Sequence, residues 1–169
     1  MQIPDGRGDK SMGNSRNQLW YLPVILWMGF IFYMSSRTGE ESSEMSGFFV
    51  ELLLRLIGGD GQQYTQLGFF IRKGAHMTEY AVLYFLFYRT PCMRSVKKTS
   101  LAKALAGCLL FCFLYAISDE AHQLMVSDRA GRATDVLIDT AGAAIAMAVC
   151  LLCALRRRAK REKAADASR

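Results

Sequence analysis

The chain has 169 residues, of which 51% are hydrophobic, with 21 basic against 15 acidic side chains and a formal net charge of +6. A mean hydropathy of +0.12 excludes a disordered chain and does not suit an ordinary soluble domain. The length sets one compact domain as the ceiling.

The first element is the clearest. Arg16 and Arg37 enclose twenty uncharged residues, NQLWYLPVILWMGFIFYMSS, which is the run of roughly 20 that a helix needs to cross a hydrocarbon core. Trp20, Tyr21, Trp27 and Tyr33 ring it, and no small-x-small cleavage site follows, so a spanning helix over about 19–36 is expected rather than a secretory signal.

The loop from Arg37 to Gln66 carries its own helical pattern. Met45, Phe48, Phe49, Leu52, Leu56 and Ile57 recur at helical spacing, with Glu44, Glu51 and Arg55 on the other side. An amphipathic interfacial helix over about 43–57 is expected, capped by Ser42 or Ser43 and ended by the GGDG at Gly58 to Gly61. It serves either as a stalk packed on the bundle or as a lid over a site within it.

Three weaker spans follow, at about 67–88, 100–118 and 133–155. Their longest uncharged stretches are nine residues after Glu79, fifteen between Lys103 and Asp119, and sixteen between Asp139 and Arg156. Charged groups must therefore enter the membrane. The expected fold is an all-α membrane protein, a four-transmembrane-helix bundle over 19–155 between a tail of residues 1–18 and a basic tail of residues 156–169.

Lys and Arg near span ends are retained on the cytoplasmic side. Arg7, Lys10 and Arg16 precede the first span; Arg89, Arg94, Lys97, Lys98 and Lys103 lie between the second and third; Arg156, Arg157, Arg158, Lys160, Arg161, Lys163 and Arg169 form the tail. The other two loops hold only Arg37, Arg55, Arg129 and Arg132. Both termini are expected in the cytoplasm. The net charge then reports topology and not nucleic-acid binding, although the basic tail can touch anionic lipid.

Cys92 falls in a cytoplasmic loop and Cys108, Cys112, Cys150 and Cys153 within spans, so no structural disulfide is expected. The C-x-x-C of Cys150 and Cys153 reads as small apolar filler beside a basic flank, ahead of metal or redox chemistry.

Depth follows from a rise of ~1.5 Å per residue counted from the inner ends. Glu79 falls about 15 Å in, His76 and Lys73 about 20 and 24 Å, Asp119 about 24 Å, and Asp139 and Asp135 about 26 and 32 Å. Neighbours on a helix are three or four residues apart, which gives three rows: Lys73, His76, Glu79 and Tyr80; Asp119, His122 and Gln123, with Glu120 beside Gln123; and Arg132, Asp135 and Asp139. Gly142 and Ala146 extend the third row with small residues that permit a close helix neighbour.

Ionisable groups at such depth cost several kcal/mol each unless paired or hydrated. A salt-bridge network that only fixes packing, such as Glu79 with Lys73 and Asp135 with Arg132, is one explanation. A polar site is the better one, because buried pairs are often no more stable than apolar substitutes and a stability device does not need so many groups. Of these, His76, Glu79, Glu120 and His122 are weak candidates for a divalent metal, which the nearby cations would repel. No cofactor is firmly expected.

The RKGAHMTEY of the second span, the SDEAHQ after the third, then Arg129, Arg132, Asp135, Asp139 and Gly142, together with MSSRTGEESSE after the first span, resemble the VanZ-like family of bacterial membrane proteins over about residues 20 to 150. That family is named for a protein linked to resistance against the glycopeptide teicoplanin. The resemblance implies a role in the bacterial envelope and an outward-facing polar site, and it supplies no reaction.

Three functions fit those residues. In a hydrolase or transferase acting on a phosphate-bearing lipid or cell-wall precursor, Lys73, Arg129 and Arg132 would hold phosphate. His76 or His122 would act as nucleophile or base, and Asp119, Glu120 or Asp135 would orient the His or act as acid; Glu79 completes the catalytic candidates, and Tyr80, Gln123 and Asp139 would contact substrate. A module that binds a lipid head group, precursor or partner without turnover needs the same cations. A small proton-coupled transporter would use Glu79 as carrier.

Overall fold

The computed structural model describes residues 18–57, 64–126 and 132–168. Among these every regular element is a helix. A 3-10 turn, Leu19–Tyr21, leads into α1 (Leu22–Ser35), followed by α2 (Gly39–Ile57), α3 (Tyr64–Tyr88), α4 (Pro91–Thr99), α5 (Leu101–Gln123) and α6 (Ala133–Asp166).

Two helices are long and apolar enough to cross a membrane, α5 and α6. A third candidate arises only if Leu19–Ser35 and Gly39–Leu56 are counted as one span broken by a 105° bend. Neither α1 alone nor α3 qualifies by itself, so length and hydropathy support two crossings, or up to three, of the four expected. In α3 the reason is composition: Arg72, Lys73, His76 and Glu79 interrupt an otherwise apolar run.

Several boundaries move from their expected places. Helix α2 starts at Gly39, not at 43, because Thr38 rather than Ser42 or Ser43 begins it. The Thr38 amide donates to Glu41 Oε2 at 3.1 Å and the Glu41 amide to Thr38 Oγ1 at 3.3 Å, a reciprocal capping box. The Ser43 hydroxyl instead donates to the Gly39 carbonyl one turn back. The GGDG expected to end α2 lies outside the described residues. Helix α5 runs to Gln123 instead of 118, so SDEAHQ is helical, and α6 continues past 155 through the basic tail to Asp166.

Helix α4 was not anticipated. Thr90 accepts from the Met93 amide and Pro91 occupies the first turn, where its missing N–H costs nothing. The connection between α3 and α5 is thereby a short helix carrying Arg94 and Lys97.

The core is narrow and lies between α1, α3, α5 and α6, with Ile31, Tyr80, Leu83, Tyr84, Cys108, Cys112, Ala116 and Ala143 buried. Large apolar side chains such as Leu110, Leu114, Leu137, Ile145 and Leu152 face outward. That distribution suits a hydrocarbon solvent, where helices associate through small residues and interhelical hydrogen bonds. Bonds to backbone carbonyls cross between helices here: Tyr84 to the Leu105 carbonyl at 3.1 Å, Tyr115 to the Met28 carbonyl at 2.7 Å, and the Trp27 indole to the Glu79 carbonyl at 2.9 Å.

Helix α2 packs on α3 through Ser46, Gly47 and Val50, all buried. Its apolar row Phe48, Leu52 and Leu56 faces away from the bundle and is exposed.

Candidate functional site

Helices α3 and α6 run side by side in register. Lys73 Nζ sits 2.5 Å from Asp135 Oδ1, and one turn further His76 Nδ1 lies 3.5 Å from Asp139 Oδ1. One step beyond, Gly142 abuts the Met77 backbone so closely that a Cβ would fall 2.1 Å from the Met77 carbonyl oxygen. The numbers rise together on both helices, so the two are parallel. Gly142 thus does what its spacing suggested, and Lys73 and His76 of the first row meet Asp135 and Asp139 of the third.

Lys73 therefore pairs with a carboxylate on the neighbouring helix. Asp135 is engaged by Lys73 through its side chain, while its link to Arg132 is a backbone hydrogen bond at the start of α6. The Arg132 side chain is exposed.

Helix α5 adds the second row. Asp119, Glu120 and Gln123 are all buried, and Gln123 Nε2 donates to Asp119 Oδ2 at 3.1 Å. Glu120 Oε1 accepts from the Arg132 backbone amide just before α6. This carboxylate thereby satisfies a donor at a helix N-terminus, where negative charge is favoured. Asp119, Asp139 and His76 lie within electrostatic reach of one another, so the three rows converge.

His122 departs from the rest of its row. Its ring stacks on Phe32 with centroids 4.2 Å apart, and Nε2 lies 3.0 Å from Ser36 Oγ. The Ser36 hydroxyl proton goes to the Phe32 carbonyl, so Nε2–H of His122 is the donor to Ser36. His122 fastens α5 to the end of α1 while His76 faces α6.

Among the described residues, His76 Nδ1, Tyr80 Oη, Glu120 Oε2 and Asp139 Oδ1 are buried without a well-formed hydrogen bond, while the Ser35 hydroxyl faces the Asp119 carboxylate. At 3.5 Å the His76–Asp139 contact is electrostatic and falls short of a well-formed hydrogen bond. Unmet hydrogen-bonding capacity concentrated in a helical bundle is costly.

The cluster opens on one side. A cavity of about 440 Å³ between α1, α2 and α3 is lined by Arg72, His76 and Glu79, with Ser42 and Ser46 from α2 and apolar walls that include Trp27, Met45 and Phe49. Arg72 Nη1 also donates to Ser43 Oγ at 3.1 Å. Sequence reasoning chose Lys73 and passed over its neighbour. The available signal was spacing, since Arg72, His76 and Glu79 fall at i, i+4 and i+7.

Among the described residues no group of three or more His, Cys, Asp or Glu side chains converges to hold a metal ion. The metal candidates are divided, with His76 beside Asp139 and His122 beside Ser36. Arg129 lies outside the described residues.

Fold and site together define an all-helical chain with membrane-like helices and an acid–base cluster gathered from three of them. A family model described as VanZ/LLP1 matches residues 20–154, and the chain belongs to that family. Neither a curated protein nor a solved structure is a significant match to the chain.

Proposed function

We propose that this VanZ/LLP1-family chain crosses the bacterial cytoplasmic membrane four times, with both termini inside, and that its polar cluster acts on a phosphate-bearing lipid or lipid-linked cell-wall precursor in the outer leaflet. The parallel course of α3 and α6 supports the topology, because it fits α5 as the return crossing between them. Lys and Arg concentrate at one end of these helices, the end assigned inside.

One observation carries the catalytic reading: His76 has the Asp139 carboxylate on its Nδ1 side and borders the same cavity as Arg72 and Glu79. A carboxylate so placed orients the ring and balances the imidazolium that forms when His76 takes a proton from an attacking water. Arg72 supplies a planar guanidinium matched to phosphate oxygens. Glu79, which lines the same cavity, returns a proton to the leaving alcohol in this reading, and the apolar walls suit a hydrocarbon chain. Asp119, Glu120 and Gln123 hold the far side of the cluster, while Lys73, Asp135 and Arg132 frame its outer end.

A second reading, binding without turnover, is favoured by the fact that Lys73 and Glu120 are engaged in structural contacts. A link to glycopeptide (teicoplanin) resistance rests on the family resemblance alone.

Purified protein offered lipid phosphates and undecaprenyl-linked precursors, with and without chelator, tests the proposal. Phosphate release that is lost in His76→Gln and Asp139→Asn and retained in part in His122→Ala is the expected result. Binding with no release in the unmodified protein would select the second reading, and neither binding nor release would overturn both.

A further inference from the structure

A cluster of cations lies at the other end of the bundle. A cavity of about 640 Å³ at the junction of α3, α4, α5 and α6 is lined by Arg89, Arg94, Lys97, Arg157, Arg158 and Arg161. None of these six forms an ion pair with a carboxylate among the described residues.

The cations are positioned without being neutralised. Lys97 Nζ donates to the Tyr88 carbonyl at 2.7 Å and sits 3.4 Å from the centre of the Tyr88 ring. Arg94 Nε donates to the Arg89 carbonyl at 3.1 Å, and its guanidinium lies 4.3 Å from the centre of the Trp20 ring. The carbonyls at the C-terminal end of α3 therefore aim two side chains at the cavity and leave their charge available. Burial first, and to a smaller extent Arg94 and Arg89, hold the Lys97 ammonium below the ordinary lysine range.

The same cavity has apolar walls. Phe85, Leu101, Val149 and Cys153 line it, and on α6 one face passes from Cys150 and Ala154 to Arg157 and Arg161 at intervals of three or four residues. Apolar below and cationic above is the profile of an amphiphile with an anionic head, not of a free ion. The helical tail, read from sequence as a topology signal, thus forms one wall of a concave site.

We infer that this cavity binds one anionic phospholipid, its phosphate among the cations and its acyl chains along the α3–α6 flank. The leaflet would be the inner one if the topology above holds, but the binding does not depend on it. It is also independent of the His76 cluster, which lies at the opposite end.

Native mass spectrometry of the full chain in neutral detergent, titrated with phosphatidylglycerol, phosphatidylcholine or inorganic phosphate, tests this. Two variants of equal charge loss separate a built site from general attraction: Arg157→Ala with Arg161→Ala inside the cavity, and Arg156→Ala with Lys160→Ala on the same helix outside it. Phosphatidylglycerol is expected to bind at least about tenfold more tightly than phosphatidylcholine. The first pair should weaken it by about tenfold or more, and the second by less than about threefold. Equal loss in both pairs, equal binding of phosphatidylcholine, or displacement by low millimolar inorganic phosphate would overturn the inference.

Discussion

Gly142 lies so close to Met77 that a Cβ at its position would come within 2.1 Å of the Met77 carbonyl oxygen and 2.7 Å of the carbonyl carbon. Backbone cannot yield as the tip of a flexible side chain can, so this contact sets the spacing of α3 and α6. The Lys73–Asp135 and His76–Asp139 pairs depend on that spacing.

Gly142→Ala is therefore expected to force the two helices apart. The cost should be about 1–3 kcal/mol, as for other overpacked sites, and the acid–base pairs should loosen with it. Thermal unfolding in detergent checks this against Gly107→Ala, where nothing lies within 4 Å of a new Cβ and the change should stay within about 1 kcal/mol.

Lys73→Met and Asp135→Leu should each destabilise the protein, because each leaves its former partner half-buried and uncompensated. The double variant should recover much of the loss. A double-mutant cycle by chemical unfolding is expected to give a coupling above ~1 kcal/mol; additive effects would mean that the pair contributes nothing of its own.

Thr38→Ala removes one half of the capping box that starts α2. The expected cost is about 1 kcal/mol of local stability, read as faster hydrogen exchange over residues 39–43 with little change in α5 or α6. Glu41→Ala should act in the same place, since its carboxylate accepts the Thr38 amide.

Cys92 on α4 and Cys153 on α6 are exposed, whereas Cys108, Cys112 and Cys150 are buried, so the accessibility of Cys92 is read in a Cys153→Ser background. With α4 on the inner side, a membrane-impermeant maleimide should leave Cys92 unmodified in intact spheroplasts and label it after permeabilisation. Labelling before permeabilisation would reverse the proposed topology.

Much of this architecture was readable in the chain itself. Hydrocarbon is a poor solvent for charge, so a run such as residues 17–36 and the placement of Lys73, His76, Asp119 and Asp139 within apolar stretches announce helices whose polar groups must meet. The small residue Gly142 at one turn from Asp139 likewise signalled a close helix partner. Local chemistry also encoded the Thr38–Glu41 cap and the Thr90–Pro91 start of α4, although both signals were passed over.

Only the tertiary structure decided which partner each group takes. Helical spacing places His76 and His122 on polar faces, but it does not say that one turns to Asp139 and the other to Ser36 and Phe32. Nor does it say that Arg72, one residue before Lys73, borders the cavity. Those choices depend on the rotation of each helix about its axis, which is fixed by contacts between residues far apart in the chain, such as Gly142 with Met77 and Tyr115 with Met28. Sequence periodicity defines a face, and packing alone determines what that face meets.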